Sequence, residues 1–564
     1  MLERSEALES LKSQSFDVLV VGGGITGAGV AMDAVMRGLS VALLERGDFA
    51  CGTSSRSSKL VHGGLRYLQS FDLGLVREAL LERQINVAMA PNLVKPLKMV
   101  VPAFDGEHPD RLLGVALGMY DAMALPSVKA LRKRKDGKEE EVEIDPSSWS
   151  PDRHREIDGE EVVRLVPALE SREPTGGYVF YDCQTDDVRL VLSALEEATR
   201  WGAVCINRVE AKGLTESGGR ATGVAVRDSV TGEEFEIRAQ NVVNATGVWA
   251  DQLRPGELAT EAEVPRIRPS RGTHILLDAA DIPLVSGAIV PAPGGRFIFA
   301  LPWLGRTLIG TTDSDYEAES LEHVPPSEED VEYLLTAVNE FFHTELTESD
   351  VVGAFAGVRP LIAPAEGKKS VDISRKEELY ETSSGMVTIT GGKLTTWRAM
   401  AELTVDRIVE RAGDNEKCRT LDARIGVLVD PDDLPRVEGV SEDAYRALAD
   451  RYGARAESVL AVAAENGRLA QPIVEGLPDL LAEVVWSARS EQAMTLGDVL
   501  LRRTRLGLLA GRDLSDPTSA SLERAADVLG AELGWSTQQR ADEIEAFLAE
   551  AAAEGISVPE PNQV

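Results

Sequence analysis

The chain has 564 residues and a formal net charge of -34, from 93 acidic and 59 basic residues. This length predicts two or three domains, and the acidity argues against nucleic acid as a partner and requires a local basic pocket for any anionic substrate. The four cysteines are scattered without a CxxC pair and the six histidines lack ligand spacing, so neither a disulfide framework nor a metal site is indicated.

The N-terminal segment carries no targeting signal that we recognise. Its first 15 residues mix acids with bases, and no later stretch contains about 20 uninterrupted apolar residues. We therefore expect a cytoplasmic protein that does not span a bilayer.

Residues 16–38, FDVLVVGGGITGAGVAMDAVMRG, read as a strand, a glycine-rich turn and a helix. Gly22, Gly24 and Gly27 have the GxGxxG spacing that lets a backbone approach a pyrophosphate and pack a helix against a strand. Glu45 ends the next predicted strand, where a carboxylate accepts a hydrogen bond from a ribose hydroxyl. The pattern predicts a dinucleotide site and leaves open whether the ligand is NAD or FAD.

Further along the chain, strands alternate with helices. The spacing predicts an amphipathic helix over 71–90, a hairpin over 172–189 that feeds a helix continuing to 202, and a strand over 203–214. A strand beginning at 234 ends in a turn of small residues at Ala245, Thr246 and Gly247. Such alternation indicates a parallel sheet.

From 265 to 316 the pattern changes to short apolar runs separated by turns, which predicts an antiparallel sheet. The chain then returns at 386 to a strand, a glycine turn and a helix. After a Pro/Asp break at 429–435, helical periodicity continues to about 555, with a capping box formed by Ser536 and Gln539.

Several motifs in order resemble the FAD-dependent, aerobic-type glycerol-3-phosphate dehydrogenases. They are TSSRSSKLVHGGLRYL (53–68), YDCQTDDVRLVL, NATGVWA, IGTTD, GVRPL and GGKLTTWR, and LGDVLLRRTRLGL (496–508) resembles that family's C-terminal helical domain. The resemblance covers nearly the whole chain. It implies FAD as the cofactor, oxidation of sn-glycerol 3-phosphate to dihydroxyacetone phosphate, and a quinone as the electron acceptor.

The resemblance implies an α/β fold with three parts. A Rossmann-like FAD-binding domain of the D-amino-acid-oxidase/glutathione-reductase type is expected at 16–70, 181–255 and 350–412. An inserted antiparallel β substrate domain is expected at 71–180 and 256–349, and a C-terminal α-helical domain at 430–555.

Oxidation of a secondary alcohol requires a base for the hydroxyl proton and cations near the developing alkoxide. Arg359 and Lys393, each expected just after a strand, match the family's cationic residues near the flavin. His62 is the candidate base, because an imidazole both accepts and returns a proton near neutral pH. A structural histidine that bonds a backbone carbonyl is the alternative.

Arg66, followed by Tyr67, resembles the family's phosphate-binding arginine, and a guanidinium suits a phosphate dianion. Arg271 is a third candidate for the substrate pocket, against the simpler interpretation of an exposed strand arginine. Thr312 and Asp313 are expected to shape a turn.

The remaining candidates are expected to contact FAD. They are Gly22, Gly24, Ile25, Thr26, Gly27, Glu45, Thr53, Ser54, Ser55, Ser58, Lys59, Val209, Ala245, Thr246, Gly247, Gly392, Leu394 and Thr395.

The segment 111–138 joins an apolar helix to a basic cluster, a composition typical of contact with the cytoplasmic membrane surface. A buried helix followed by a solvated loop fits equally well, and the acidic run at 139–145 opposes attraction to anionic lipid. The family also suggests a homodimer.

Three alternatives to a quinone-linked dehydrogenase stay open. A soluble glycerol-3-phosphate oxidase of the same fold shares the substrate half-reaction and reduces oxygen to hydrogen peroxide. An amine or amino-acid oxidase would need a carboxylate clamp and no phosphate site. An FAD-binding sensor would show no turnover.

Overall fold

The structure is a computed structural model that describes residues 1–65, 72–106, 109–124, 153–253, 267–317, 320–362 and 377–557. Two β-sheets and a C-terminal set of helices make up these residues. The strands are β1 Ser15–Val21, β2 Val41–Leu44, β3 Leu60–Val61, β4 Val94–Ala103, β5 Arg155–Asp158, β6 Gly176–Thr185, β7 Val204–Ile206, β8 Val209–Ser217, β9 Arg220–Asp228, β10 Glu234–Asn244, β11 Ile267–Asp278, β12 Gly287–Ala292, β13 Arg296–Trp303, β14 Arg306–Gly310, β15 Ser314–Asp315, β16 Val351–Ile362, β17 Glu377–Glu381 and β18 Val387–Gly391.

The helices are numbered in the same way along the described chain. They are α1 Arg4–Ser13, α2 Ile25–Met36, α3 Leu73–Met89, α4 Arg111–Ala124, α5 Gly159–Leu165, α6 Asp187–Arg200, α7 Glu328–Phe342, α8 Trp397–Ala412, α9 Glu442–Tyr452, α10 Ala456–Glu465, α11 Leu481–Glu491, α12 Leu506–Leu509, α13 Gly511–Leu514, α14 Ala520–Leu533 and α15 Thr537–Glu554. A π-helix, Asp498–Arg503, lies between α11 and α12.

The first sheet has the strand order β17-β18-β10-β1-β2-β7, with the hairpin strands β8 and β9 attached to β10. Strands β18, β10, β1, β2 and β7 pair in parallel, as the alternation of strands and helices predicts. Their Val, Leu and Ile side chains pack against α2, α6 and α8 in a continuous apolar core. The predicted parallel sheet is confirmed.

The second sheet has the order β15-β11-β14-β13-β12-β4-β6-β3, with β16 paired to β11 and β5 to β6. All of its described pairings are antiparallel except that of β12 with β4. The antiparallel runs predicted over 265–316 are therefore confirmed. One face of this sheet packs on α7, and the opposite face packs on the C-terminal helices.

Two local predictions between 172 and 214 are wrong. The predicted hairpin is the single strand β6, because Gly176–Thr185 pairs along its whole length with β4 and leaves no turn within it. The predicted strand over 203–214 is interrupted between β7 and β8, where Arg208 has a left-handed φ of 54° and its amide donates to the Gly47 carbonyl. The helix that follows β6, α6, is confirmed.

Helix α3 lies where the spacing predicts it, but several of its polar residues do not face solvent. Glu82 pairs with Arg398 of α8, and Arg83 pairs with Asp182 of β6. Both α3 side chains are buried, because the two sheets meet at this helix and ion pairs replace water as their partners.

The sheets do not follow the expected domain ranges. Strand β16 lies in the second sheet, although 350–412 was assigned to the FAD-binding part, and β3 also joins that sheet. The chain crosses between the sheets at these points, so both sheets contribute to the space between them.

Helix α4 exposes Leu112, Val115 and Met119, while residues 125–152 lie outside the described part of the chain. Among the described residues, no helix combines the length and the hydropathy needed to cross a bilayer. Membrane-surface contact and a homodimer stay predictions.

The C-terminal helices begin after the Pro/Asp break, as predicted. Ser536 and Gln539 form the predicted capping box at the start of α15. At the other end of α15, Glu554 accepts from Arg56 at 2.6 Å and contacts Nδ1 of His323 at 2.9 Å. The end of the described chain is thereby joined to both of the preceding parts.

We expect the stability contributed by His323 to depend on pH. The hydrogen bond with Glu554 raises the pKa of His323 above its ordinary value of about 6.5, against a smaller effect of burial. Because the folded pKa is raised, this stabilisation is fully present below pH ~6.5 and is lost as the pH rises through the folded value. Replacing His323 with Gln should therefore cost more at pH 6 than at pH 8.5.

Since the His323 side chain is 48% exposed, the difference should stay below about 1 kcal/mol. Urea unfolding of the wild type and of His323→Gln at the two pH values measures it. An equal cost at both pH values would show that protonated His323 does not contribute.

Candidate functional site

A cavity of about 480 Å³ lies between the two sheets. The carboxyl ends of β1, β2, β10 and β18 line one side of it, and β11 and β16 of the second sheet line the other. Ligands of open α/β sheets bind at this end of the strands. The cavity is the candidate functional site.

The glycine-rich turn between β1 and α2 lines the middle of the cavity. Gly22, Gly24, Ile25 and Thr26 face it, and Gly22 has a φ of 116° that favours glycine. Gly27 lies behind the turn, where an added Cβ would meet the Gly22 carbonyl oxygen at 1.9 Å. The turn places the N-terminus of a helix of 12 residues against the cavity, an arrangement that favours an anionic group.

Glu45 follows β2 and lines the cavity beside the turn. One carboxylate oxygen accepts from the Gly23 amide and the other from the Gly47 amide, each at 2.8 Å. Burial raises the pKa of Glu45, although these two amides oppose the shift. Val209 continues this wall, and its amide donates to the Glu45 carbonyl at 2.9 Å.

Only some residues of the serine-rich loop 53–58 line the cavity. Thr53, Ser54 and Ser58 face the cavity, and the Ser54 hydroxyl accepts from the Ile25 amide at 3.0 Å. Ser55 is a correction to the prediction, because it is buried behind the loop and its hydroxyl donates to the Gly52 carbonyl.

Lys59 is also a correction. Its side chain is fully buried outside the cavity lining, with Nζ donating to Asp187 at 2.7 Å and to the Ser55 carbonyl at 2.6 Å. The ammonium group therefore pairs with a buried carboxylate of α6 inside the protein. Lys59 is not among the residues that line the cavity.

His62 lines the cavity just after β3. Its amide donates to Oγ1 of Thr395, and that hydroxyl donates to the His62 carbonyl, each at 3.0 Å. Thr395 also lines the cavity, so the exchange joins the segments after β3 and β18. The backbone of His62 is thereby held while the residue stays at the cavity wall.

Arg359 lies within β16 and not after a strand as the pattern predicts. Its guanidinium donates to the Thr311 hydroxyl at 3.0 Å and to the Thr312 carbonyl at 3.1 Å. Asp313 lies 3.4 Å from the same group. These acceptors, all in the IGTTD turn, orient the guanidinium at the cavity wall.

Lys393 lies two residues after β18 and lines the same cavity. Gly392 and Leu394 flank it at the wall. Ala245, Thr246 and Gly247 line the cavity from the end of β10, where Ala245 donates to the Val21 carbonyl.

Arg271 is a correction. Strand β11 alternates its side chains, so Gly272 and His274 face the cavity while Arg271 and Thr273 face α7. Arg271 donates to Asp330 of α7 at 3.0 Å. It lies outside the cavity lining because it occupies the opposite face of the strand.

His274 is a cavity residue that the sequence reasoning missed. Its ring stacks on Phe355 with centroids 4.8 Å apart, and Nε2 lies 2.8 Å from the Ser58 hydroxyl. Burial, followed by the charges of Lys59 and Arg359, lowers the pKa of His274 well below its usual range, so the imidazole is neutral. The alternation of β11 was the available signal, since it places position 274 on the face opposite Arg271.

Arg66 and Tyr67 lie outside the described residues. Several further lining residues were also missed: Arg46, Cys51, Gly52, Arg56, Glu210, Lys212, Trp249 and Gly357.

The residues present fit FAD. The glycine-rich turn has no room for side chains, since an added Cβ at Gly22 would lie 2.5 Å from the Ala245 carbonyl oxygen. Helix amides beside this turn suit a pyrophosphate, and the Glu45 carboxylate suits a ribose. The cations and His62 lie in the same cavity, where an isoalloxazine ring and a small substrate would meet.

Comparison with known proteins agrees with the fit of these cavity residues to FAD. The family profile described as FAD dependent oxidoreductase matches residues 17–407, and the one described as the C-terminal domain of alpha-glycerophosphate oxidase matches residues 386–540.

Two relatives and one solved structure cover most or all of the chain. Glycerol-3-phosphate dehydrogenase 2 of Mycobacterium tuberculosis (strain ATCC 25618 / H37Rv) is 34% identical over 100% of this chain and 92% of its own length. Aerobic glycerol-3-phosphate dehydrogenase of Bacillus subtilis (strain 168) is 34% identical over 89% of each chain. The glycerol-3-phosphate dehydrogenase of Bacillus halodurans, solved in complex with FAD, matches with a TM-score of 0.76 and 29% identity, over 99% of this chain and 98% of that one.

Proposed function

Because the chain belongs to the family of FAD-dependent glycerol-3-phosphate dehydrogenases, we propose that it oxidises sn-glycerol 3-phosphate to dihydroxyacetone phosphate and delivers the electrons to a quinone. FAD is the cofactor. When bound, it supplies N5 as the hydride acceptor. The observation that carries the proposal is that one cavity is lined by the glycine turn, Glu45 and the three groups His62, Arg359 and Lys393.

We propose that His62 is the base that accepts the proton of the substrate hydroxyl. The Thr395 hydroxyl holds its backbone at the cavity wall, so the residue has a defined place beside a bound alcohol. An imidazole accepts a proton near neutral pH and returns it after turnover. The neutral His274 lies in the same lining and is the second group to test if His62 proves structural.

Arg359 and Lys393 supply positive charge to the substrate oxygen as it loses its proton. The guanidinium of Arg359 is pre-oriented by the 311–313 turn, so little reorganisation is needed when charge develops. The net charge of -34 would repel an anionic substrate from most of the surface, whereas these cations make the cavity locally favourable for an anion. Arg66 and Tyr67, assigned by resemblance, would take the phosphate.

The acceptor is tested with the purified holoenzyme. Anaerobic addition of glycerol 3-phosphate should bleach the flavin absorption, whereas glycerol should not, because it lacks the phosphate. A quinone analogue should then restore the oxidised spectrum rapidly, with little oxygen consumption or hydrogen peroxide in an aerobic control.

Fast, stoichiometric peroxide with negligible quinone reduction would replace the dehydrogenase assignment by a glycerol-3-phosphate oxidase. Equal bleaching by glycerol would contradict the phosphate site. Failure of glycerol 3-phosphate to bleach the flavin at all would remove the proposed substrate.

A further inference from the structure

The C-terminal helices carry a group of buried arginines that the proposed reaction does not use. We call Arg502, Arg503 and Arg505 the arginine cluster; the first two end the π-helix and the third follows it. Their exposures are 6%, 0% and 1%. A π-helix is rare and is often found where a protein positions functional groups.

Two members of the arginine cluster converge on one carboxylate of the FAD-binding part. Arg503 donates to both oxygens of Asp48, at 2.7 and 2.8 Å, and Nε of Arg502 donates to the same group at 2.7 Å. Asp48 is only 2% exposed. A bidentate pair of this kind fixes orientation as well as distance.

Asp48 lies in the middle of the segment 45–52, which lines the cavity through Glu45, Arg46, Ala50, Cys51 and Gly52. The segment also supports the glycine turn directly. Ala50, with a left-handed φ of 64°, donates to the Gly23 carbonyl at 3.0 Å, and Glu45 accepts from the Gly23 amide. The position of Asp48 is therefore coupled to the turn that would hold the pyrophosphate.

Arg505 fixes the second loop, 53–58. It donates to the Ser55 carbonyl at 3.0 Å and to the buried carboxylate of Asp187. Asp187 in turn accepts from the Ser57 hydroxyl at 2.7 Å. Burial opposes ionisation of Asp187, but Lys59 and Arg505 outweigh it and lower its pKa.

A third attachment comes from the end of α15, where Glu554 pairs with Arg56 of the same loop at 2.6 Å. Arg56 lines the cavity, and Glu554 is 6% exposed. Both loops are thus held from the C-terminal side, through contacts separated by about 450 or more residues along the chain.

Stability alone does not explain this arrangement. Buried ion pairs lose much of their Coulombic gain to desolvation, and well-packed apolar side chains would stabilise the same interface as well or better. The charges also fix geometry, because each guanidinium reaches a specific carboxylate or carbonyl of a loop that contains no strand or α-helix.

We propose that the C-terminal helical part is a positioning element for FAD: the arginine cluster, acting through Asp48 and the Ser55 carbonyl, holds the loops 45–52 and 53–58 in the arrangement that retains the cofactor. The proposal rests on FAD binding and is independent of the substrate and of the electron acceptor. It assigns a role to the motif LGDVLLRRTRLGL at 496–508.

The test compares Arg503→Met with Arg451→Met in the full-length holoenzyme. Arg451 is a matched control, because it is also a buried C-terminal arginine with two carboxylate partners, Asp479 and Glu483, and its described contacts reach the Thr504 carbonyl but not the two loops. FAD release is followed by the rise of flavin fluorescence on dilution, at a temperature well below the melting temperature of each variant. Hydrogen exchange of amides 45–58 is measured on the same samples.

We expect Arg503→Met to release FAD at least about tenfold faster than Arg451→Met and to exchange faster throughout 45–58. If Arg503→Met does not fold, a second pair of variants replaces the first. Asp48→Asn and Asp479→Asn each remove one carboxylate charge from their network, and Asp48→Asn should release FAD faster than Asp479→Asn. Equal release rates within either folded pair, or unchanged exchange over 45–58, would overturn the proposal.

Discussion

Replacing Lys393 with Met is expected to slow reduction of the flavin by glycerol 3-phosphate by about a hundredfold or more. Lys393 follows β18 and lies in the cavity lining with Arg359 and His62. A charge near the substrate oxygen stabilises the transition state more than the neutral alcohol, so its removal raises the barrier by about 2.7 kcal/mol for each hundredfold. Met preserves much of the length and apolar volume of the side chain.

Anaerobic stopped-flow absorbance at saturating glycerol 3-phosphate measures this rate directly, without the later transfer to quinone. Lys212→Met is the matched control, because Lys212 lines the same cavity from β8 and the net charge changes equally. The control should reduce its flavin at close to the wild-type rate. If Lys393→Met does so too while containing full FAD, Lys393 takes no part in the chemical step.

Replacing Gly27 with Ala is expected to yield a protein that purifies without FAD. The added Cβ would lie 1.9 Å from the Gly22 carbonyl oxygen, so either the turn or the start of α2 must move. The Gly22 carbonyl belongs to the backbone of the turn that lines the cavity and Gly27 belongs to the backbone of α2, so no flexible side chain can move to relieve the contact. Overpacking of this kind also lowers the free energy of unfolding by about 1–3 kcal/mol.

The ratio of flavin absorbance to protein absorbance measures FAD content, and thermal unfolding measures stability. Gly74→Ala in the first turn of α3 is the control, since its added Cβ would meet nothing nearer than Asp72 Oδ1 at 3.9 Å. That variant should retain FAD and stay within about 1 kcal/mol of the wild type. Wild-type FAD content in Gly27→Ala would show that the turn tolerates a displaced helix.

Predictions that depended on neighbouring residues were the most accurate. The glycine turn, α2 and the placement of Glu45 follow from spacing within about 30 residues, and the structure has all of them. The parallel strands and the C-terminal capping box are of the same kind. In each case the local pattern and the tertiary structure favour the same conformation.

The errors arose where a long-range contact decides which way a side chain points. Arg271 and His274 lie on one strand, and only the packing of α7 against one face of β11 determines which of them reaches the cavity. Lys59 follows a polar loop whose composition suggests cofactor contact, but its ammonium group is buried and donates to Asp187. The assumed hairpin at 172–189 is a single strand because β4 pairs along its whole length.

The dinucleotide-binding turn, the inserted antiparallel sheet and the helical C-terminal region could be predicted from the residues alone, because each depends on hydrophobic periodicity and turn residues that act locally. Its ordered motifs also indicated the family. The tertiary structure was needed to see that His62, Arg359, Lys393 and His274 line one cavity. It was also needed to see that arginines about 450 residues away contact the loops beside that cavity. Buried charges find their partners through packing of distant segments, and strand alternation separates the two faces of a strand without showing which of them meets the cavity.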